Sequence, residues 1–182
     1  MSTQEGRIRQ KQGTVTENDL RIDTDRSEQI IDALNTDLAN AYVLYHQLKK
    51  HHWDAEGAEF RDLHLFLEEA YETVEHGADE IAERAQALGG VPVAGPTTQA
   101  ERATVSFEGE DVYDLRLSLA NDLEMYGDII ESLRDHIELA DNLGDYATGE
   151  LLRDILVEVE EDAHHIEHYL EDDTLVLEEA TH

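Results

Sequence analysis

The sequence predicts an all-α protein, a four-helix bundle with one long crossover connection. Apolar residues recur at alternating steps of three and four over four long segments. Both prolines, Pro92 and Pro96, fall in one Gly-containing stretch between the second and third of them. No strand pattern occurs beyond the fragment Thr104–Phe107. With 182 residues, 40% apolar before 11 Gly are counted, the chain suits one domain with a sizeable core.

The first helix is expected to open after Ser27 as N-cap, with Glu28 in its first turn. Its apolar stripe is Ile31, Leu34, Leu38, Ala41, Tyr45, Leu48 and His52. A second runs from about Phe60 to Leu88 through Leu63, Leu67, Ala70, Val74, Ala78, Ile81 and Ala85. A third is expected from about Asp111, carrying Val112, Leu115, Leu119, Leu123, Tyr126, Ile130, Leu133, Ile137 and Ala140, with Gly144 as its stop. A fourth runs from about Tyr146 to Leu170 through Leu152, Ile155, Val159, Ala163 and Ile166. Asp54–Glu59 and Asn142–Asp145 are short links, so the helices they join are antiparallel neighbours, whereas Gly89–Glu110 can cross the bundle end to end. Two short links and one crossover is the ferritin-like arrangement. Residues 1–26 read as an N-terminal tail, 27–170 as the bundle and 171–182 as an acidic C-terminal tail.

Charge narrows the partners. Forty-four Asp and Glu face 13 Lys and Arg, a net charge of −31, and the only lysines are Lys11, Lys49 and Lys50. Such a field repels nucleic-acid phosphates and anionic lipid, and it opposes compaction unless salt screens it. This is the composition of a protein working in a salt-loaded cytoplasm. The absence of Cys removes disulfides, thiol nucleophiles and thiolate metal sites. No apolar run exceeds the five residues Ala41–Tyr45, which predicts no membrane span. The N-terminus lacks the apolar region of a signal peptide, so the expected compartment is the cytoplasm.

The second helix carries the chemistry. With Leu63 at 0° and 100° per residue, its apolar stripe stays within about 60° of zero, while His64, Glu68, Glu72, Glu75, Asp79 and Glu83 fall at roughly 100–200°. Six metal-type ligands with no Lys or Arg among them lie opposite the core. Like charges at helical spacing repel. A cation bridging carboxylate and imidazole removes that repulsion, which suits iron or manganese. A di-iron site inside one bundle needs Glu-x-x-His on two helices, facing the core. The second helix has none, and Glu161–His164 on the fourth points away from the core. The remaining ligands of an outward-facing site must therefore come from another subunit.

Here the sequence resembles the Dps family, the ferritin-like mini-ferritins named as DNA-binding proteins from starved cells. The resemblance lies in HHWDAEGAEFRDLH followed by DEIAERAQALGGVP: His-Trp, a His eleven residues after the Trp, an Asp fifteen further, then Ala-Glu-Arg. It implies a ferroxidase centre across a two-fold interface in a hollow homo-dodecamer, with His52 and His64 from one subunit and Asp79 and Glu83 from its mate. It further implies Glu68 as an assisting acid and Trp53 as a local quencher of oxidising species. Glu72 and Glu75 match positions that nucleate ferric mineral, and Asp145 and Asp154 match positions lining three-fold pores. The implied function is iron storage and detoxification, with hydrogen peroxide preferred over dioxygen as oxidant.

Two features depart from the family. Residues 1–26 hold five Lys+Arg and five Asp+Glu rather than a lysine-rich arm, and twelve copies at −31 each would carry −372, so DNA binding is doubtful. His164, His165 and His168 form an outward histidine stripe with Glu161, Glu171 and Asp172, readable as a solvated face or as an outer metal relay through His164 and His168. The competing functions are a non-catalytic acidic cation-binding scaffold and a small-oligomer di-metal oxidase.

Overall fold

The structure, a computed structural model, describes residues 7–171. Five helices follow in order: α1 Thr24–Asp54, α2 Phe60–Ala87, α3 Pro96–Arg102, α4 Leu115–Leu143 and α5 Tyr146–Leu170. The α1–α2 and α4–α5 hairpins pack side by side, α1 against α4 and α2 against α5. The side-chain pairs fix the directions. Gln47 meets Asp122 while Asp37 meets His136, so α1 and α4 are antiparallel. Arg84 meets Asp145 while Phe66 meets Tyr169, so α2 and α5 are antiparallel too. The chain therefore runs up, down, across, down and up, the topology expected of the sequence. The core is the merged apolar stripe of the four long helices, with Leu34, Leu38, Leu48, Leu67, Leu133, Leu152 and Ile166 at its centre.

The helix ends correct three expectations. Ser27 is no cap: α1 begins at Thr24, and Ser27 is buried, its amide donating to the Asp23 carbonyl at 2.9 Å. The third long helix begins at Leu115 rather than about Asp111, because Asp114 caps it by accepting from the amides of Arg116 and Leu117. Val112, placed on the stripe by spacing alone, is 70% exposed. Its stop is as expected, at Gly144 with φ 82°. Helix α5 spans the expected residues. No helix among the described residues is long and apolar enough to cross a membrane.

The crossover is anchored to α1 by buried amides, a pattern no apolar stripe reports. Asn35 accepts from the Val93 amide at 2.6 Å, Asn40 from the Thr104 amide at 2.8 Å and Gln47 from the Glu108 amide at 3.0 Å. These side chains satisfy backbone amides in the irregular stretches on either side of α3. Residues 10–22, expected to be tail, lie against the end of α2. The Thr16 amide donates to the Gly89 carbonyl at 3.0 Å, Gln10 Nε2 donates to the same oxygen at 2.8 Å, and Val15 and Ile22 pack on the core. The expected C-terminal tail lies outside the described residues apart from Glu171.

Gly89 is where this N-terminal strap closes. Its φ is +91°, and a Cβ added there would lie 2.2 Å from the Thr16 carbonyl oxygen. Gly89→Ala is expected to cost about 1–3 kcal/mol of stability. Gly95→Ala, with φ +93° but nothing within 4 Å of the added carbon, supplies the backbone cost alone. Denaturant midpoints of the two variants in molar KCl check this: equal losses would mean that the Thr16 contact contributes nothing.

Candidate metal centre

The last turn of α1 and the first turns of α2 meet across the link 55–59. There the two histidines of the motif lock one another. His52 Nδ1 lies 2.8 Å from the His64 carbonyl oxygen and His64 Nδ1 lies 2.9 Å from that of His52. A carbonyl can only accept, so each Nδ1 carries a proton, and Nε2 is the nitrogen left to face a metal. The rings stack with centroids 3.7 Å apart and planes 19° off parallel. Tyr71 sits edge-on to His52 at 5.4 Å and Phe60 lies 5.0 Å from His64, giving an apolar wall. His52 is buried and His64 half-buried. Glu68, one turn beyond His64 on the same face, is half-buried, whereas Trp53 is 69% exposed.

The acidic ligands are elsewhere. Asp79 and Glu83 are exposed on the same helix, and fifteen residues at 1.5 Å each put Asp79 about 22 Å along the axis from His64. Glu72 and Glu75 are exposed between them. Among the described residues, one chain holds no group of three or more His, Cys, Asp or Glu side chains placed to hold a metal. The structure thus brings His52 and His64 together, with Glu68 beside them, and leaves Asp79 and Glu83 at the far end of α2.

Asp145 and Asp154 differ. Asp145 is 2% exposed: it caps α5 through the Thr148 amide at 3.1 Å and pairs with Arg84 at 2.5 Å. Its carboxylate is committed inside the chain, so the expected pore-lining role does not fit its geometry. Asp154 is exposed and lines a 580 Å³ cavity to which all four long helices contribute. The histidine stripe also divides. His164 and His168 point their Nε2 atoms at each other, 3.0 Å apart, while His165 lies edge-on to Phe66 at 5.7 Å. Asp172 lies outside the described residues.

A buried charge cluster beside the histidine pair escaped the sequence reading. His51 Nδ1 lies 2.7 Å from Asp122 on α4, and its Nε2 lies 2.7 Å from Glu108 in the crossover. Glu108 also accepts from Lys50 at 2.7 Å and from Asn121 at 3.1 Å, while Gln47 donates to Asp122 at 2.9 Å. Burial alone would lower the pKa of His51, but the bonds and charges of Asp122 and Glu108 raise it. Burial likewise pushes Glu108 upward, and the bonds from Lys50 and His51 outweigh it and hold its carboxyl below the usual range. An imidazole facing a carboxylate at each nitrogen donates from both, as an imidazolium. The available signal was the doubled His51–His52 next to two of the only three lysines.

A ferritin-like bundle with an imidazole pair on its outer face is the class that fold and site define. The Ferritin family, described as a ferritin-like domain, matches residues 31–176. The chain is 66% identical over 99% of both lengths to the DNA protection during starvation protein of Halobacterium salinarum. The crystal structure of an archaeal Dps homologue from Halobacterium salinarum superposes with a TM-score of 0.92, covering 97% of this chain and 98% of that one, at 66% identity. DpsC from Streptomyces coelicolor superposes with a TM-score of 0.91 at 32% identity, covering 94% of this chain and 100% of its own. A Dps protein from Vibrio cholerae O1, described as a member of a broad superfamily of ferritin-like diiron-carboxylate proteins, does so with a TM-score of 0.80 at 28% identity, covering 87% of this chain and 99% of that one. The chain belongs to the Dps family.

Proposed function

We propose that this chain is an iron-storing ferroxidase that assembles as a hollow homo-dodecamer in the cytoplasm. One observation carries the reading: His52 and His64 form a stacked pair whose Nδ1 atoms are each tied to the other's backbone carbonyl, while the acids that would complete the site lie about 22 Å away along one helix. A two-fold mate lays its Asp79 and Glu83 beside the first subunit's His52, His64 and Glu68. Two imidazoles and two or three carboxylates hold Fe(II) without saturating it. Two Fe(II) each give one electron to one hydrogen peroxide, which takes up two protons and leaves as two waters. Dioxygen as the alternative oxidant would leave peroxide behind. Trp53, exposed beside His52, is placed to intercept stray oxidant. Fe(III) then hydrolyses, and the exposed Glu72 and Glu75 seed its mineral. Asp154, rather than the committed Asp145, is the candidate to line the three-fold pores. The surface charge sets this protein apart from DNA condensation: protection here comes from removing Fe(II) and peroxide.

The inter-subunit centre is tested by complementation. His52→Ala and Asp79→Ala are each expected to abolish fast peroxide-dependent Fe(II) oxidation, and a subunit-exchanged mixture to recover part of it. A mixture that stays inactive although exchange is demonstrated, or a native mass below the hexamer in 2–4 M KCl, would overturn the assignment.

Nucleation is expected to separate from oxidation. Glu72→Gln with Glu75→Gln should leave the initial oxidation rate nearly intact while slowing mineral growth, since neutral amides bind Fe(III) poorly. Loss of both together would place these residues in the oxidation centre.

The 3.0 Å approach of His164 and His168 favours a second, weaker metal site there, acting as an outer relay. Crystals soaked with Zn(II) are expected to show anomalous density between these two rings, absent in His164→Ala/His168→Ala. Density confined to the ferroxidase centre, pores and interior would make them surface residues only.

A further inference from the structure

His51 and His52 are consecutive, yet they serve different neighbours. Successive residues on a helix point about 100° apart, so His52 turns to the start of α2 while His51 turns to α4 and the crossover. Both stand in the last turn of α1, which ends at Asp54. Last turns lack part of their hydrogen-bond ladder and fray unless something ties them. Metal ligands, by contrast, must be held within about 0.5 Å of productive geometry.

Glu108 and Asp122 supply the tie. Glu108 grips Lys50 and His51 at 2.7 Å each, and its own amide donates to Gln47 Oε1 at 3.0 Å. Asp122, fully buried, takes His51 at 2.7 Å and Gln47 at 2.9 Å. The last two turns of α1 are thereby fixed in rotation against two other elements, by groups that hydrogen-bond neither His52 nor His64. Once the His51 ring is pinned, the helical backbone leaves His52 one direction in which to project.

We propose that Glu108 and Asp122 are positioning residues of the metal centre: through His51 and Lys50 they set the rotation of the last turn of α1 and hence where His52 Nε2 is presented. This deepens the ferroxidase reading and rests on it. A purely structural role would make them one more buried α1–α4 tie, and the protein contains such a tie for comparison. Asp37, 3% exposed, bonds His136 at 2.8 Å and Ser132 at 3.1 Å on the same helix pair, fifteen residues and about 22 Å before His52.

The experiment uses the assembled full chain in molar KCl and Co(II) alone as probe, read by its visible d–d absorption. Glu108→Gln and Asp122→Asn keep side-chain shape and remove charge. Each is expected to weaken Co(II) binding about 10-fold, the effect usual for groups behind a metal ligand. The KM for Fe(II) should rise in step, with kcat changed less than about 2-fold once the metal is bound. Asp37→Asn is expected to lower the thermal midpoint comparably while leaving Co(II) affinity at the wild-type value. Should a charge-removing variant fail to assemble, Asn121→Ala, which deletes one 3.1 Å bond to Glu108 from an exposed residue, is expected to weaken Co(II) about 2- to 3-fold. Wild-type affinity in the Glu108 and Asp122 variants, or in Asn121→Ala where it stands in for them, or an equal loss in Asp37→Asn, would overturn the positioning role. A wild-type protein with no saturable Co(II) spectrum sensitive to His52→Ala would instead overturn the ferroxidase reading, so the two failures are distinct.

Discussion

A straight helix cannot fold back on itself, and the design of this protein depends on that constraint. Six ligand-type residues of α2, from His64 to Glu83, lie on one outward face, but the imidazole and the last acids are separated by most of its length. What one chain presents is a hydrogen-bonded pair of histidines, one buried and one half-buried, at one end of the bundle, and two exposed carboxylates nearer the other. A symmetric pairing that runs two such helices antiparallel brings unlike halves together twice. Among the described residues, one chain gathers at neither end three or more ligand-type side chains placed to hold a metal.

The half-sites differ in how they are prepared. His52 and His64 give up one nitrogen each to the other's backbone, so their tautomer is set before any metal arrives. The carboxylates need no such preparation, since the two oxygens of a carboxylate are equivalent acceptors and no tautomer has to be set. Buried polar groups tie α1 to its neighbours along its length. Asn35, Asn40 and Gln47 fasten the crossover to α1, and the Glu108–His51–Asp122 cluster closes the series at the turn before the ligand. Burying so many charged groups stabilises little in itself, because desolvation offsets much of the attraction. Its worth is geometric, in fixing one rotation of one helix end.

How much of this was legible in the sequence follows from which forces leave a periodic trace. Apolar burial repeats with the helix, so four helices, their order and the long crossover could be read, as could Gly144, whose left-handed φ only a small residue takes without strain. The outward polar stripe of α2 was legible for the same reason, by its contrast with the core. Side-chain-to-backbone bonds leave no such trace. Asn35, Asn40 and Gln47 look like any polar residues on a helix, and Glu108 sits in a stretch with no period, so the crossover's anchors were invisible. The N-terminal strap was missed because its docking rests on backbone bonds to Gly89 and on two isolated apolar residues, Val15 and Ile22. Spacing also misled: Val112 fell on the stripe but lies before the cap at Asp114, and Ser27 has the chemistry of a cap but sits three residues inside the helix.

The contrast between Asp145 and Asp79 shows why residue type alone does not assign a site. Both are acids of one family pattern in a chain with 44 of them. Asp145 stands at a helix start, where amides lack acceptors, and Arg84 from α2 reaches it; capping and pairing take its oxygens and bury it. Asp79 stands mid-helix, where the backbone is already satisfied, so its carboxylate remains turned to solvent. In so acidic a chain, the acids available to a metal are those that no amide or guanidinium has taken. Arginine is scarce enough here, ten in 182 residues, that most carboxylates stay available. The same scarcity leaves the carboxylates on the outer face of α2 exposed and open to cations.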